Sequence, residues 1–325
     1  MGDAQEPDHH ARSTRNWFVC YGVDRITHRR RDPEWVAQRV AGGAVRIVPV
    51  WRSRNLVAGE DTLRAAVLAP RDLDVYLAAL DTLILLGEDT DATYFAIDLP
   101  GEDEAPALRL SAHGSFQDLR SVAPLLDPRE GGLLAYARAM TYWHRHHRYC
   151  GDCGSLTYSV EAGSLRVCSD ERCARKQFPR TDPAVIVLIA RGGRCLLARP
   201  SHWPARLYST VAGFVEPGEA VEEAVLREVY EETGLGLHEV RYHSSQPWPF
   251  PSSLMLGFTA RATDECVRLT DGELQDARWF SRDRLAADVS SGALRIPSRI
   301  SIAYRLIEDW YDQGGGRLSE LAGAA

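Results

Sequence analysis

A chain of 325 residues, 45% of them hydrophobic and 26% charged, has the composition of a soluble globular protein with about two domains. Its formal net charge of −7 argues against a generic nucleic-acid-binding protein, so local cations or metal ions must attract any anionic ligand. No apolar run reaches the length of a transmembrane helix, and the polar start lacks the apolar core of a signal peptide. Seven cysteines, four of them in two close pairs, favour a reducing cytoplasm and a metal site over disulfides.

The first half of the chain predicts a tail followed by a mixed domain. Residues 1–15 are polar and predict a flexible tail, and residues 16–128 predict an N-terminal domain of α/β class. The predicted elements of this domain are strands 45–51 and 64–69, helix 71–80, and strands 82–87 and 93–99. Residues 129–178 predict a helix and then a segment rich in cysteine. That helix, within 130–150, is expected to start after a loop and to end in cations.

The second half predicts an α/β/α sandwich over residues 179–315, with a tail at 316–325. Two apolar runs flank Gly192 and Gly193, which predicts a β-hairpin. The other predicted elements are strands 207–214, 239–246, 254–262 and 277–280 and helices 219–233 and 298–312. No internal repeat is found, although the two mixed domains could be remote copies of each other.

Between the two halves, four cysteines have the spacing of a zinc ribbon. They follow the pattern Cys150-x2-Cys153-x14-Cys168-x4-Cys173, two pairs separated by the length of a hairpin. Four thiolates satisfy tetrahedral Zn²⁺, and a site closed by four protein ligands is structural. The second pair is longer than the usual x2, so His147 could replace one ligand. Four reduced cysteines without a metal are the alternative.

Three glutamates, Glu228, Glu231 and Glu232, lie on one side of a predicted helix, within an arc of about 100°. Val225 and Val229 occupy the adjoining arc, so the acidic stripe borders a buried face. Mg²⁺ accepts oxygen ligands, commonly carboxylates, with phosphate oxygens completing its shell. The stripe therefore predicts a site for divalent metal ions and a polyphosphate, and a solvated helix face is the alternative.

The same stretch resembles the Nudix box, G-x5-E-x7-R-E-U-x-E-E-x-G-U, in which U is a bulky aliphatic residue. All nine specified positions match: Gly213, Glu219, Arg227, Glu228, Val229, Glu231, Glu232, Gly234 and Leu235. The chain is thus similar to the Nudix hydrolases. This resemblance implies hydrolysis of a nucleoside diphosphate linked to another group, which the box itself does not specify.

The segment SQPWPFPSS, residues 245–253, indicates which group of Nudix hydrolases the chain resembles. Its prolines restrict the backbone and hold Trp248 and Phe250 as aromatic faces that suit stacking on a nucleobase. The alternative is a rigid loop that packs its aromatic rings into the core. Together with the cysteine pattern and the sequence FPRTDPAV at 178–185, this segment resembles the NADH pyrophosphatases of the NudC type. The similarity covers most of residues 120–312.

The resemblance implies roles for individual residues. Glu228, Glu231 and Glu232 would be the catalytic residues. They would also bind Mg²⁺ or Mn²⁺, together with the backbone carbonyl of Ala212 and, downstream, Glu273. The implied substrate-binding residues are Phe178, Gln246, Pro247, Trp248, Pro249, Phe250, Pro251, Ser252, Ser253, Ala303 and Arg120. Phe178 stands where the family commonly has tyrosine, and Arg227 is expected to pair with Glu219 and brace the loop.

The activity that the resemblance implies is metal-dependent hydrolysis of the pyrophosphate bond of NADH or NAD⁺, which gives nicotinamide mononucleotide and AMP. Removal of the NAD cap from RNA 5′ ends would break the same bond. A broad dinucleotide or ADP-sugar pyrophosphatase is the alternative enzyme. A non-catalytic zinc-ribbon nucleic-acid-binding protein or a metabolite sensor fits the intact carboxylates less well. The resemblance further implies a homodimer, while the cysteine content favours the cytoplasm and the lack of a long apolar run argues against a membrane partner.

Overall fold

The protein divides into two compact units in a computed structural model that describes residues 8–77, 83–102, 104–270 and 272–321. The N-terminal unit comprises Phe18–Thr181 and the short loop Trp248–Ser252. The C-terminal unit comprises Asp182–Pro247, the chain from Ser253 onward and the segment that ends at Trp17. The domain boundaries set from the sequence stay a prediction, since these units are discontinuous along the chain.

The helices of the described residues have bounds that differ from several expectations. They are α1 (His9–Thr14), α2 (Pro33–Gly42), α3 (Ala105–Arg109), α4 (Leu119–Val122), α5 (Pro128–His146), α6 (Val221–Thr233), α7 (Arg282–Ser290) and α8 (Ile302–Asp312). Helix α5 begins at Pro128 rather than after a loop, because Asp127 accepts a hydrogen bond from the N–H of Arg129 and Pro128 suits the first turn. Helices α1 to α4 and α7 were not predicted.

The sheet of the N-terminal unit is mixed and contains one parallel pair of strands. Its strands are β1 (Val45–Trp51), β2 (Arg54–Ala58), β3 (Arg64–Ala65), β4 (Ile84–Glu88), β5 (Thr93–Leu99) and β6 (Ser115–Gln117). They lie in the order β3-β2-β1-β5-β4, with β6 paired to β2. Strands β1 and β5 run parallel, and β1 is buried except at Arg46, as expected for a strand covered on both faces.

Two predictions in this unit need correction. The predicted strand 64–69 is regular only over Arg64–Ala65, and Leu68 adds a single bridge to Ile47. The predicted helix 71–80 is a 3₁₀ helix over Pro70–Tyr76, and its last residues, 78–80, lie outside the described residues. The Asp72 side chain accepts the Ala69 N–H and closes this short turn, which a period of 3.6 residues does not distinguish from an α-helix.

The cysteine-rich segment forms a small sheet of its own. Strands β7 (Thr157–Val160), β8 (Leu165–Cys168) and β9 (Lys176–Gln177) are consecutive and antiparallel. The hairpin between β7 and β8 is the one that the spacing of the two cysteine pairs predicted.

The C-terminal unit contains a second mixed sheet with a similar centre. Its strands are β10 (Asp182–Arg191), β11 (Arg194–Pro200), β12 (Val211–Phe214), β13 (Leu237–Trp248), β14 (Ser253–Ala262) and β15 (Leu274–Ser281). Their order is β13-β14-β10-β11-β15, with β12 paired to β10. Strand β10 forms the predicted hairpin with β11 and runs parallel to β14. The same combination of antiparallel hairpin and parallel neighbour occurs for β1, β2 and β5.

Helices cover both faces of this second sheet. Alternate residues of β10, such as Val187, pack with α6, whereas the residues between them, such as Leu188, pack with α7 and α8. The predicted α/β/α sandwich is therefore confirmed. The two faces bury separate cores, and the acidic helix α6 covers only one of them.

The ends of the chain are more ordered than the sequence suggested. Residues 9–14 form α1 instead of a tail, and Asn16 is buried and donates to Ser244 and to the Ser245 carbonyl. Near the other end Leu318 is buried, and its N–H donates to Asp312. Polar composition predicted a flexible tail at residues 1–15, but hydrogen bonds to Ser244 and Ser245 hold Asn16 just after it. Residues 1–7 and 322–325 of the two predicted tails lie outside the described residues. Across the part of the chain that is described, no helix has the length and apolar character needed to cross a membrane.

Candidate active site

Helix α6 is fixed at both ends by residues of the acidic motif. The carboxylate of Glu223 accepts the Ala220 N–H at 3.0 Å at the start of the helix. At its end Gly234 adopts φ 68°, and its N–H donates to the Tyr230 carbonyl at 2.8 Å. Val225 and Val229 are fully buried against the sheet. These contacts set the rotation of the helix and direct its acidic stripe to the border of the core.

Gly213 and Glu228 lie in direct contact. Strand β12 places Gly213 opposite Val185 of β10. A side-chain Cβ at Gly213 would lie 1.9 Å from the carboxyl carbon of Glu228, so only glycine leaves room for this carboxylate. The Glu228 side chain is 14% exposed and that of Glu231 is 52% exposed, while Glu232 is buried. The three carboxylates of the stripe thus differ in burial, and the residue before Gly213, Ala212, is exposed.

Arg227 connects the loop before α6 to the acidic stripe. Its guanidinium donates to both carboxylate oxygens of Glu219, and to Glu228 at 2.9 Å and Glu231 at 3.0 Å. It also donates to the Phe214 carbonyl at 2.9 Å. These hydrogen bonds lower the pKa of Glu219 to about 2. The predicted pair of Arg227 and Glu219 is present, and Arg227 also connects this pair to Glu228 and Glu231.

The surroundings of Glu228 combine burial with neighbouring negative charge. Burial raises the pKa of Glu228, the negative charges of Glu231 and Glu273 add to this effect, and Arg227 opposes it. The segment before β15 lies against the helix, since the Thr270 hydroxyl donates to the Glu231 carbonyl at 2.7 Å. Among the described residues only the four cysteines bring three or more ligand atoms within 4.8 Å of one another, so the predicted glutamates are not gathered into one cluster. Their carboxylates are nevertheless the donor type that Mg²⁺ or Mn²⁺ prefers. Ala212 O, Glu228, Glu231, Glu232 and Glu273 are the groups that would hold such ions.

The predicted aromatic pair belongs to the N-terminal unit and is half-buried. Trp248 and Phe250 pack edge to face, with ring centroids 5.2 Å apart, and both contact Phe18. The guanidinium of Arg120 lies 5.4 Å from the Trp248 ring, which places this predicted residue beside the aromatic loop. Trp248 is therefore both partly packed and partly accessible.

Arg138 is a residue at this loop that the sequence did not reveal. Its Nε donates to the Pro249 carbonyl at 2.8 Å, and its guanidinium lies 5.0 Å from the Phe250 ring. The arginine projects from the long helix α5, far from the loop in sequence. Only the tertiary structure brings the two together.

Other predicted substrate-binding residues lie in different surroundings. Gln246 is fully buried, and its amide donates to the carbonyls of Trp17 and Ile300 and accepts the Ile302 N–H. The Gln246 amide therefore links strand β13 to Trp17 and to residues 300–302 within the C-terminal unit. Ala303 is buried too, and its N–H donates to Ser301 at the start of α8.

The remaining residues of the predicted substrate set are distributed over both units. Phe178 and Pro251 are exposed, Pro249 is buried, and Pro247, Ser252 and Ser253 are half-buried. Phe178 is a residue of the N-terminal unit and Ser253 begins β14 of the C-terminal unit.

Phe214 is a second feature that was not anticipated. It follows Gly213 directly, and 60% of its surface is exposed although it is a large aromatic residue. Its carbonyl is held by Arg227, so the ring is carried by a braced strand next to Glu228. The sequence signal was an aromatic residue immediately after the first glycine of the box.

The four cysteines converge as their spacing predicted. Their sulfur atoms all lie within 4.8 Å of one another, with Cys150 and Cys173 at 3.7 Å and Cys153 and Cys168 at 3.4 Å. Tetrahedral Zn²⁺ with bonds near 2.3 Å requires sulfur atoms about 3.8 Å apart, so the residues present fit this ion. The x4 pair closes because the N–H groups of Cys173 and Ala174 both donate to the Asp170 carbonyl.

The chemistry of this cluster also suits a metal. Hydrogen bonds from the side chain and backbone of Ser155 lower the pKa of Cys153 to about 6, which favours a thiolate. His147 does not join the cluster, because its Nδ1 is engaged with the Trp143 carbonyl at 2.9 Å. The alternative ligand considered from the sequence is thus placed outside the group of sulfur atoms.

Comparisons with known proteins match both of the domains that contain the two mixed sheets. Residues 179–297 match the family model described as NUDIX domain, and residues 45–143 match the NADH pyrophosphatase-like rudimentary NUDIX domain. The second match explains why both sheets share a hairpin with a parallel neighbour.

Several curated proteins are similar over most of the chain. The NAD-capped RNA hydrolase NudC of Mycobacterium bovis BCG Pasteur is 37% identical over 89% of this chain and 92% of its own length. The human NAD-capped RNA hydrolase NUDT12 is 31% identical over 91% of this chain and 73% of its own length. Nudix hydrolase 19, chloroplastic, of Arabidopsis thaliana is 39% identical over 69% of this chain, which spans about half (54%) of that relative.

An acidic helix on an α/β/α sandwich, together with a four-cysteine module, is typical of a class of hydrolases that use divalent metals. The chain belongs to the Nudix hydrolase family. Within that family it shares the NADH pyrophosphatase-like domain in addition to the catalytic domain.

Proposed function

We propose that this protein hydrolyses the pyrophosphate bond of NADH or NAD⁺ to nicotinamide mononucleotide and AMP, and that it also removes the NAD cap from RNA 5′ ends. The observation that carries the proposal is the contact of Gly213 with the Glu228 carboxylate inside an intact Nudix box. A glycine is needed there only if the carboxylate must occupy that position. The names of the bacterial and human relatives support the choice of substrate.

The residues of the acidic helix supply the oxygen ligands for this reaction. Bound Mg²⁺ or Mn²⁺ would neutralise the charge of the pyrophosphate and lower the pKa of a water molecule. Glu228, Glu231, Glu232 and Glu273, with the Ala212 carbonyl, would hold the ions, and Arg227 connects the loop to the helix. One carboxylate of this group accepts the proton of the attacking water, and the leaving phosphate departs with its nucleotide.

Discrimination among substrates must come from surfaces that contact the bases, since every Nudix substrate shares the metal-bound pyrophosphate. We assign this role to Trp248 and Phe250, whose rings are held against Phe18. The exposed ring of Phe214 is a further face suited to a base. Arg120, beside the Trp248 ring, is suited to a phosphate or ribose.

The remaining parts of the proposal concern cofactor and assembly. Zn²⁺ in the four-cysteine cluster would be structural, because four thiolates leave no open coordination position. We also propose a cytoplasmic homodimer, in which case light scattering should give twice the chain mass of 36.2 kDa. A mass equal to one chain would contradict the dimer and leave the proposed reaction unaffected.

The reaction is tested by comparing turnover of NADH, NAD⁺, ADP-ribose and NAD-capped RNA in one assay. EDTA should abolish hydrolysis, and Mg²⁺ or Mn²⁺ should restore it. Glu232→Gln should lower kcat by at least about 10²-fold, because it removes a charge that holds metal in the transition state. Undiminished hydrolysis by this variant would refute the metal site. Equal kcat/KM for ADP-ribose and NADH would instead identify a broad dinucleotide or ADP-sugar pyrophosphatase.

A further inference from the structure

The C-terminal unit contains a cavity on the face of its sheet opposite α6. The cavity has a volume of about 360 Å³ and is lined by Leu188 and Ala190 of β10 and by Leu306 and Trp310 of α8. Leu188 packs with α8, whereas its neighbours Val187 and Ile189 pack with α6. The cavity is therefore separated from the acidic stripe by the thickness of the sheet. Its volume lies within the range of small-ligand sites.

The walls of this cavity are strongly cationic. The arginines that line it, among the described residues, are Arg12, Arg191, Arg241, Arg261 and Arg282. Only two carboxylates, Glu239 and Asp309, line the same cavity, which leaves a formal excess of three positive charges with histidine neutral. The whole chain has a net charge of −7. A local excess of this sign in an acidic protein concentrates anions there.

The two carboxylates are already engaged and cannot neutralise all five arginines. Glu239 is shared between Arg241 at 3.6 Å and Arg261 at 3.1 Å. Asp309 is bound by His243 at 2.9 Å and by Arg15 at 3.4 Å. Arg15 does not line the cavity. Asp309 thus divides its charge between Arg15, outside the cavity, and His243 and Arg12, which line it. Glu265 does not line the cavity but pairs with Arg191 at 3.7 Å, which reduces the positive excess without cancelling it.

Arg282 is held in place by groups other than carboxylates, and Arg12 has a buried nitrogen without a hydrogen-bond partner among the described residues. Arg282 donates to the carbonyls of Trp310 and Tyr311, and its guanidinium lies 4.3 Å from the Trp310 ring. The Nε of Arg12 is buried, and no described residue provides it with a hydrogen-bond partner. A buried donor that lacks a partner costs free energy, which an acceptor entering the cavity would recover.

We propose that this cavity is a binding site for a small phosphate-bearing anion, distinct from the carboxylate site on α6. Guanidinium groups match phosphate oxygens in paired hydrogen bonds, and several arginines around one cavity suit a ligand with many acceptor oxygens. Oligophosphates and the phosphate groups of nucleotides share this chemistry. The site does not depend on the proposed reaction, because no carboxylate of the acidic helix contributes to it.

The test is calorimetric titration of the full-length protein with tripolyphosphate in EDTA, so that no divalent ion loads the carboxylate site. Binding at one site per chain is expected. Arg241→Gln and Arg12→Gln should each weaken it by about tenfold or more, since each removes charged hydrogen bonds. Arg241→Lys keeps the charge and should lose less. A parallel titration with AMP in EDTA shows whether nucleotide phosphates use the same site.

The control is Arg206→Gln, which changes an arginine in a different cavity, where Arg278 is paired with Asp276 at 2.6 Å and Arg284 with Asp288 at 2.5 Å. Its affinity for tripolyphosphate should equal that of the wild type. Absence of binding would overturn the proposal, as would an equal loss in the Arg206→Gln control. Binding that requires Mg²⁺ and disappears in Glu228→Gln would assign the anion to the acidic helix and also overturn it. Near-UV circular dichroism of each variant establishes that the fold is retained.

Discussion

At the scale of single residues, Gly213 and Arg227 show how the acidic stripe is kept in position. The missing side chain of Gly213 provides the space that the Glu228 carboxylate fills. Arg227 then holds Glu219, Glu228 and Glu231 with one guanidinium, so three like charges stay together at a cost that this cation offsets. The position of the acidic side chains therefore depends on the missing Cβ of Gly213 and on the hydrogen bonds of Arg227, as well as on the glutamates themselves.

Gly213→Ala should reduce activity strongly while hardly changing stability. The new Cβ would meet only the flexible end of Glu228, which can rotate away, but the carboxylate would then leave its position. We expect a loss in kcat of about 10²-fold, similar to that of Glu228→Gln. In a double-mutant cycle the two losses should not add, since both remove the same carboxylate. Additive losses, or a large drop in melting temperature for Gly213→Ala, would contradict this interpretation.

Trp248→Ala should affect NADH more than a substrate that lacks nicotinamide. Loss of a stacking surface worth about 1–3 kcal/mol predicts a decrease of roughly 5- to 150-fold in kcat/KM for NADH. Hydrolysis of ADP-ribose should fall much less, and Trp248→Phe should recover most of the NADH activity. The ring also packs on Phe18 and Phe250, so a purely structural role is the competing explanation. Equal proportional losses for both substrates would favour that role.

At the scale of elements, the cysteine hairpin depends on its turns. Gly154 with φ 75° and Ala174 with φ 44° provide the left-handed residues after each cysteine pair. The Gly154 N–H donates to the Cys150 carbonyl, and the Cys168 N–H donates to the Arg175 carbonyl. These backbone hydrogen bonds shape the turns that bring the two cysteine pairs together. The longer second pair is accommodated by the additional bonds to the Asp170 carbonyl.

The four-cysteine element should contain one Zn²⁺ per chain that remains when Mg²⁺ or Mn²⁺ is dialysed away. Cys150→Ser should lower thermal stability or soluble yield, because structural zinc contributes folding free energy. The kcat of the folded fraction should change much less. Elemental analysis of the wild type gives the zinc content directly, and Cys20→Ser, a change outside the cluster, is the control. Soluble, folded protein without zinc would refute the assignment.

At the scale of the whole molecule, helix α5 joins the cysteine hairpin to the sheet of the N-terminal unit. His144 is central to this connection. Its Nε2 contacts the Gly163 carbonyl at 2.8 Å, and its Nδ1 faces the Arg166 guanidinium at 2.9 Å. Since an arginine only donates, Nδ1 must accept and Nε2 must carry the proton. Burial lowers the pKa of His144 to about 4, and the charge of Arg166 adds to this effect.

Stability should therefore fall between pH 6.5 and pH 4 through this histidine. The unfolded chain binds a proton at His144 below about pH 6.5, whereas the folded protein binds it only near pH 4, so acid favours unfolding. His144→Gln, which keeps a donor, should lose this slope. The melting temperature of the wild type should exceed that of the variant at pH 7, and the gap should narrow by roughly 5 °C toward pH 4. A gap that does not change with pH would contradict the assigned tautomer and burial.

The sequence by itself determined the features that depend on neighbours along the chain. The box from Gly213 to Leu235 specifies a loop, a helix and its acidic stripe, because each contact within it spans at most fifteen residues. The cysteine spacing likewise specified a closed cluster, and the Gly192-Gly193 pair specified a hairpin.

Only the tertiary structure decided the features that join residues far apart in sequence. It placed Arg138 of α5 against Pro249, buried the amide of Gln246 between distant carbonyls, and grouped five arginines around one cavity. It also ordered residues 9–15, which polar composition predicted to be a tail. Such contacts depend on which faces of separate elements meet during packing. Local propensity and periodicity do not contain that information, because they report only how each segment distributes its own polar and apolar surface.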